Sequence, residues 1–250
     1  MKVLNSNDLV NQGIFSDKDE LLGLYYELVE LRKYLSFRNK KILDIGCGSG
    51  KFLILCSLLE KPASCVGLDP SEGEGSSENI IEIFRNNLKF LDIKNIRIVN
   101  EDIWDYEPNS QKFDIVTANF SLHHIINTTK NLLKSHPYRK KTFDLFSKIY
   151  TTLEENGSFI IKEVSNQNLS RYWDIYGKIT GTENIHWKTK HNPKEYITIL
   201  KQCGFHRIIL KYAIPYILKK YGMSKLKRLL SNPIANFFFS STYFIIASKF

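Results

Sequence analysis

A chain of 250 residues that is 43% hydrophobic and 24% charged has apolar material for a sizeable core, and wholesale disorder is excluded. Its 35 Lys and Arg against 26 Asp and Glu give a formal charge of +9 at pH 7. Twelve of those basic residues but one acid, Glu195, lie after residue 185, so the surplus belongs to the C-terminal quarter. An anionic substrate, a nucleic acid, an acidic surface or plain solvent could face it.

The first 13 residues, "MKVLNSNDLVNQG", hold no apolar run of the kind a secretory signal needs. The first periodic segment, "DKDELLGLYYELVELRKYL" (17–35), places Leu21, Leu22, Tyr25, Leu28, Val29 and Leu31 on one broad stripe and predicts a helix. It belongs to an N-terminal helical cap over 1–38. From there β-branched runs alternate with helical patterns. "KILDI" (41–45) precedes the helical "GKFLILCSLLE" (50–60), and "SCVGLD" (64–69) precedes "NIIEIFRNNLKFLD" (79–92). "NIRIVN" (95–100) and "FDIVTAN" (113–119) follow as strands, then a helix over 139–156 that Asn156-Gly157 is expected to stop. "GSFIIKEV" (157–164), a helix over 192–204 opened by Asn192 and Pro193, "HRIILKYA" (206–213) and "STYFIIAS" (241–248) complete the series. The first five strands have near-continuous apolar centres, as strands covered on both faces do. The alternation predicts an α/β fold: a mostly parallel sheet between two helical layers.

The apolar stretch 237–247 is interrupted by Ser240, Ser241 and Thr242 and is too short to cross a bilayer as a helix. Cys47, Cys56, Cys65 and Cys203 form no C-x-x-C pair, which argues against a structural zinc site and for reduced thiols in the cytoplasm. The adjacent His123 and His124 are not a metal motif either, and no metal site is expected.

The segment "KILDIGCGSGKFL" (41–53) carries the most chemistry. A dinucleotide fingerprint, G-x-G-x-x-G, fails at Lys51, and a phosphate-binding P-loop fails at Ile45 and Phe52. What remains is G-x-G-x-G with Asp44 two residues before the first glycine. An acid there disfavours a pyrophosphate and favours a ligand with a cationic end, such as an α-ammonium or a sulfonium. Glycine lets the backbone approach that ligand closely. Asp69 closes the second strand, where a carboxylate suits the two hydroxyls of a ribose. Asp102 follows the third strand. Three acids at consecutive strand ends line the edge where open parallel sheets hold ligands.

With these residues in view, the chain resembles the class I S-adenosylmethionine-dependent methyltransferases. "LDIGCGSGKF", "GLDPS", "NEDIWDYEP" and "FDIVTANFSLHHI" look like that family's first four motifs, and the likeness covers residues 40–165. It implies a Rossmann-like three-layer sandwich with a seven-stranded sheet whose last strand is antiparallel. It implies S-adenosyl-L-methionine as cofactor, with Asp44, Gly46, Cys47, Gly48 and Gly50 around its methionine part. Asp69 and Pro70 would lie at the ribose, Asp102 and Ile103 at the adenine, and Asn119 and Phe120 near the transferable methyl.

Beyond the fourth strand, His123 and His124 are candidate general bases, because imidazole titrates near neutrality. Glu163 ends the fifth expected strand and is a candidate for binding an acceptor amine or hydroxyl, or for pairing with a lysine. Tyr25, on the first helix, is a candidate for binding the acceptor. A lid-like insertion near 165–192 offers Tyr172, Trp173, Tyr176 and Trp187 as acceptor-pocket walls. A second insertion near 214–240 contains "YILKKYGMSKLKRLLSNP", a basic amphipathic pattern. The whole, 1–250, reads as one methyltransferase domain acting on a small-molecule acceptor by O- or N-methylation. An RNA- or protein-modifying enzyme that uses the basic C-terminal region is the alternative. A non-catalytic cofactor-binding subunit is a third reading.

Overall fold

The computed structural model describes residues 6–71, 79–108, 111–173, 185–213, 232–239 and 242–250. The strands form a seven-stranded sheet in the order β3 (Ile96–Val99), β2 (Ser64–Leu68), β1 (Lys41–Ile45), β4 (Phe113–Asn119), β5 (Leu153–Val164), β7 (Thr242–Ser248), β6 (Arg207–Tyr212), and the chain divides into two compact units, Met1–Glu107 and Pro108–Phe250.

The first unit opens with a short helix α1 (Ser6–Asn11) that the sequence pattern does not announce. Helix α2 (Lys18–Leu31) follows, shorter than the expected 17–35. Its cap is built from local polar groups: Asp17 Oδ1 accepts from Glu20 N at 2.8 Å, and Glu20 Oε2 accepts from Ser16 N at 2.8 Å. Strand β1 (Lys41–Ile45), helix α3 (Lys51–Glu60), strand β2 (Ser64–Leu68), helix α4 (Ile80–Phe90) and strand β3 (Ile96–Val99) then alternate as expected. The strands pair in parallel, with Asp44 opposite Gly67 and Ile45 opposite Leu68. Glu20 Oε1 meets Lys51 Nζ at 2.6 Å, tying α2 to the first turn of α3.

The second unit contains β4 (Phe113–Asn119), the one-turn α5 (Leu122–Ile126), α6 (His136–Thr152), β5 (Leu153–Val164), α7 (Pro193–Gln202), β6 (Arg207–Tyr212), α8 (Pro233–Phe239) and β7 (Thr242–Ser248). Strand β7 lies between β5 and β6 and is antiparallel to both. The expected helix over 139–156 stops at Thr152. There the hydroxyls of Thr151 and Thr152 turn back onto the Lys148 carbonyl, each at 2.8 Å, and Leu153 becomes extended to pair with Phe113. Asn156, in the left-handed region at φ +64°, therefore makes a bulge inside β5 rather than a helix stop.

Helix α7 has the Asn192 cap its sequence promises, and Glu195 extends it to a capping box. Asn192 Oδ1 accepts from Lys194 N at 2.9 Å, and Glu195 Oε1 accepts from Asn192 N at 3.2 Å. Helix α8 and flanking residues fall within the expected 214–240 insertion. Residues 214–231, which carry the basic amphipathic pattern, lie outside the described residues, as do 174–184 of the expected lid.

Candidate active site

In the first unit, the glycine loop is shaped by backbone that side chains avoid. Gly46, Gly48 and Gly50 take φ of +68°, +53° and +73°. The amides of Gly46 and Cys47 both donate to the Leu68 carbonyl, at 2.8 and 2.9 Å, which fastens the loop to the end of β2. Asp69 completes the fastening, because one carboxylate oxygen accepts from Gly48 N at 2.8 Å and the other from Ser71 N at 2.9 Å. Pro70 lies between the accepting Asp69 and the donating Ser71 in this turn. Each glycine has a different reason to be one. A β-carbon on Gly50 would fall 2.0 Å from the Phe84 ring of α4, whereas one on Gly48 would meet Ile80 Cδ1 at an ordinary 3.6 Å. Gly67 is a glycine because Cys47 Sγ would lie 2.7 Å from its β-carbon, a constraint the motif reading missed.

Electrostatically this end of the unit is negative. Asp44 and Asp69 are both buried, and both act on Cys47. Burial first, then Asp44, then Asp69 push the Cys47 thiol well above its ordinary value, so it packs as a neutral group. Two carboxylates beside an open glycine backbone fit a cationic ligand with a ribose, the chemistry of S-adenosylmethionine. Asp102 shapes a turn: its Oδ1 accepts from Trp104 N at 2.6 Å and Asp105 N at 3.0 Å, and Ile103 is buried beneath it. Tyr25 stands exposed on α2, edge-on to Tyr26 at 5.6 Å between ring centroids. Alanine at Asp69 should weaken S-adenosylmethionine binding by about 1–3 kcal/mol, through lost charge-assisted hydrogen bonds and a loosened Gly48. Calorimetry giving wild-type affinity would remove Asp69 from the site.

In the second unit, β4 ends at Asn119, and Phe120 turns into the left-handed region at φ +56°, which is strained for an aromatic residue. Its amide donates to the Lys162 carbonyl at 2.8 Å, and the Lys162 ammonium sits 4.4 Å from its ring centroid. This sharp turn starts α5 and carries His123 inward. His123 Nδ1 lies 2.8 Å from Glu163 Oε2 and 3.1 Å from Oε1, and Glu163 Oε1 also accepts from His123 N at 3.3 Å. His123 is 7% exposed and Glu163 1%. Two residues chosen separately from the sequence are thus one hydrogen-bonded pair. Nδ1 is the ring nitrogen that faces Glu163, and Nε2 is the one turned away from it. His124 is exposed, its ring 4.0 Å from that of His123. Tyr172 and Trp173 are exposed, and Trp187 is half-buried on a 3₁₀ turn over Trp187–Thr189. Tyr176 lies outside the described residues.

Among the described residues, no three His, Cys, Asp or Glu side chains are placed to hold a metal ion, and no helix is long and apolar enough to cross a membrane.

A seven-stranded sheet with one antiparallel strand, helices on both sides and this glycine loop define a class I, Rossmann-like, S-adenosylmethionine-dependent methyltransferase. Residues 22–206 match the family described as methyltransferase domain, and the chain belongs to it. It is an enzyme of that class and takes S-adenosylmethionine as cofactor. Among its relatives, a carboxy-S-adenosyl-L-methionine synthase of Nautilia profundicola is 24% identical over 220 residues, covering 81% of this chain and 83% of the relative. An S-adenosylmethionine-dependent methyltransferase from Archaeoglobus fulgidus shares the fold with a TM-score of 0.57 at 20% identity, covering 96% of this chain and 99% of that one. So does a Haemonchus contortus N-methyltransferase solved with phosphomonomethylethanolamine and S-adenosylhomocysteine. Its TM-score is 0.58 at 18% identity, over 99% of this chain and 61% of that one.

Proposed function

We propose that the chain methylates an oxygen or nitrogen of a small molecule in a biosynthetic reaction, as one methyltransferase domain in the cytoplasm. The observation that supports this reading most is the buried His123–Glu163 pair. S-Adenosylmethionine supplies a methyl carbon activated by its sulfonium. The protein's share is to hold and orient the reactants, and to take the proton that a hydroxyl or ammonium acceptor must lose. Asp44 and Asp69 hold the cationic and ribose parts of the cofactor, and the backbone of Gly46, Gly48 and Gly50 lets it approach. The family resemblance alone assigns Asn119 and Phe120 to its reactive end. His123 Nε2 receives the acceptor's proton, and Glu163 fixes the ring and stabilises the imidazolium. Four free cysteines, three of them buried, agree with a reducing compartment.

The test uses salt. An enzyme gripping RNA through 6–10 phosphate contacts loses about 10³–10⁵ in affinity between 50 and 200 mM salt. On its own small acceptor this enzyme's turnover should stay nearly constant over that range. Joint neutralisation of Lys219, Lys220, Lys227 and Arg228, all outside the described residues, should leave kcat/KM nearly intact. A collapse of activity in that variant, with fold and cofactor affinity preserved, would transfer the reading to a macromolecular acceptor.

A further inference from the structure

Behind the His123–Glu163 pair lies a group of buried polar side chains that the reading above leaves unused. Tyr243 of β7 is the cross-strand partner of Glu163 on β5, so the two side chains share a sheet face. Helix α7 contributes Tyr196, and the segment before it contributes Lys190 and His191, whose ring lies 5.8 Å from that of Tyr196. Among the described residues, four buried side-chain atoms have no hydrogen-bond partner; Asn87 Nδ2 lies on α4, and the other three, Tyr196 Oη, Tyr243 Oη and His191 Nε2, belong to this group. All three belong to residues less than 4% exposed, and a buried polar atom left unpaired costs about 1–3 kcal/mol. Three such atoms in one group leave hydrogen-bonding capacity that a polar ligand could take up.

The charges say what kind of group it is. Glu163 is committed to His123. Glu195 is committed to the amides of Leu132, at 2.7 Å, and Asn192, and to His191 Nδ1 at 3.8 Å. Burial alone would raise its carboxyl, but these donors together hold it below the ordinary range. Lys190 is 8% exposed and makes no ion pair among the described residues. Burial pulls its ammonium below the ordinary lysine range, with Glu163 opposing. Burial first, then Glu163, keep the Tyr196 hydroxyl protonated, and the same forces with Tyr196 itself keep Tyr243 so. Both acids are thus engaged at short range, while among the described residues Lys190 makes no ion pair and the two phenol hydroxyls no hydrogen bond, with Glu163 acting on all three at longer range. Water could accept hydrogen bonds from the hydroxyls and the ammonium, but only an anion would also balance the charge of a partly buried ammonium.

We propose that Lys190, His191, Tyr196 and Tyr243 form a receptor for a carboxylate on the methyl acceptor, beside the His123–Glu163 pair. This rests on the small-molecule reading of the preceding subsection and narrows it to acidic acceptors. The test is calorimetric, on the full chain with and without S-adenosylhomocysteine, with benzoate as probe and benzamide as its neutral counterpart. Benzoate should bind at least about tenfold tighter than benzamide. Lys190→Met should abolish that preference and Lys190→Arg should keep it. Tyr196→Phe and Tyr243→Phe, which remove only a hydroxyl each, should each weaken benzoate about tenfold, with S-adenosylhomocysteine affinity unchanged. Equal binding of the two probes, no binding of benzoate, or a benzoate affinity indifferent to Lys190→Met would overturn the receptor and mark the site as one that holds only water. A charge preference that survives in a protein with no turnover on any small acceptor would support the receptor and count against the acceptor reading alone.

Discussion

Alanine at His123 is expected to lower kcat by about 10²–10⁴, the range a positioned general base contributes, while the affinity for S-adenosylmethionine stays at the wild-type value. The ring is held by Glu163 through Nδ1, so Nε2 is presented in a fixed direction. Glu163→Gln keeps an acceptor oxygen in place but gives up the charge that stabilises an imidazolium, and should cost about tenfold or more in kcat. His124→Ala should cost little, since His124 is exposed and stands outside the Glu163 pair. Single-turnover rates beside cofactor calorimetry make the comparison. Full turnover in His123→Ala would show that the acceptor loses its proton without help from this pair.

The largest effects of all should come from two glycines two residues apart, and they should be of opposite kinds. Gly50→Ala places a methyl group 2.0–2.4 Å from three carbons of the Phe84 ring, at a φ of +73°. Overpacking alone costs about 1–3 kcal/mol, and a left-handed β-carbon adds about 1–2. A large fall in melting temperature, or insoluble protein, is therefore the expected outcome. Gly48→Val meets only Ile80 Cδ1 at 3.6 Å before its methyls are counted, so the fold should survive with the strain of φ +53°. The valine would occupy the face left open to a ligand, and S-adenosylmethionine binding should vanish from calorimetry. Retained binding in Gly48→Val would place the cofactor elsewhere; a stable Gly50→Ala would mean that Phe84 can move aside.

The two outcomes mirror what a sequence can and cannot reveal. The strand-helix alternation and the Asp44-to-Gly50 motif were legible because period, capping residues and glycine spacing are local properties. The antiparallel last strand was expected from the family resemblance. The reason Gly50 must be glycine was not legible, since it depends on a phenyl ring 34 positions later. The end of α6 was misplaced because the pairing of Leu153 with Phe113, 40 positions upstream, outweighs a helix that could have run on. His123 and Glu163 were each visible as candidates, but not as a pair, since 40 residues separate them. Lys190, His191, Tyr196 and Tyr243 were missed altogether. Each alone is an ordinary residue near a helix start or on a strand, and only packing turns them into uncommitted buried groups.

The place of β7 has a consequence for how the chain is made. Residues 242–248 sit between β5 and β6, yet a ribosome delivers them after both. Until they arrive, β5 offers one bare ladder of amides and carbonyls and β6 another, and the apolar Phe159–Ile161 run has no cover on that side. Such edges invite pairing with other nascent chains. Synthesis of the second unit therefore passes through an interval in which its sheet is open at the middle, and the final strand closes it by insertion rather than by addition at a rim. A slow step late in translation, or a lesion within 242–248, should expose this protein to aggregation far more than an equal disturbance in α1.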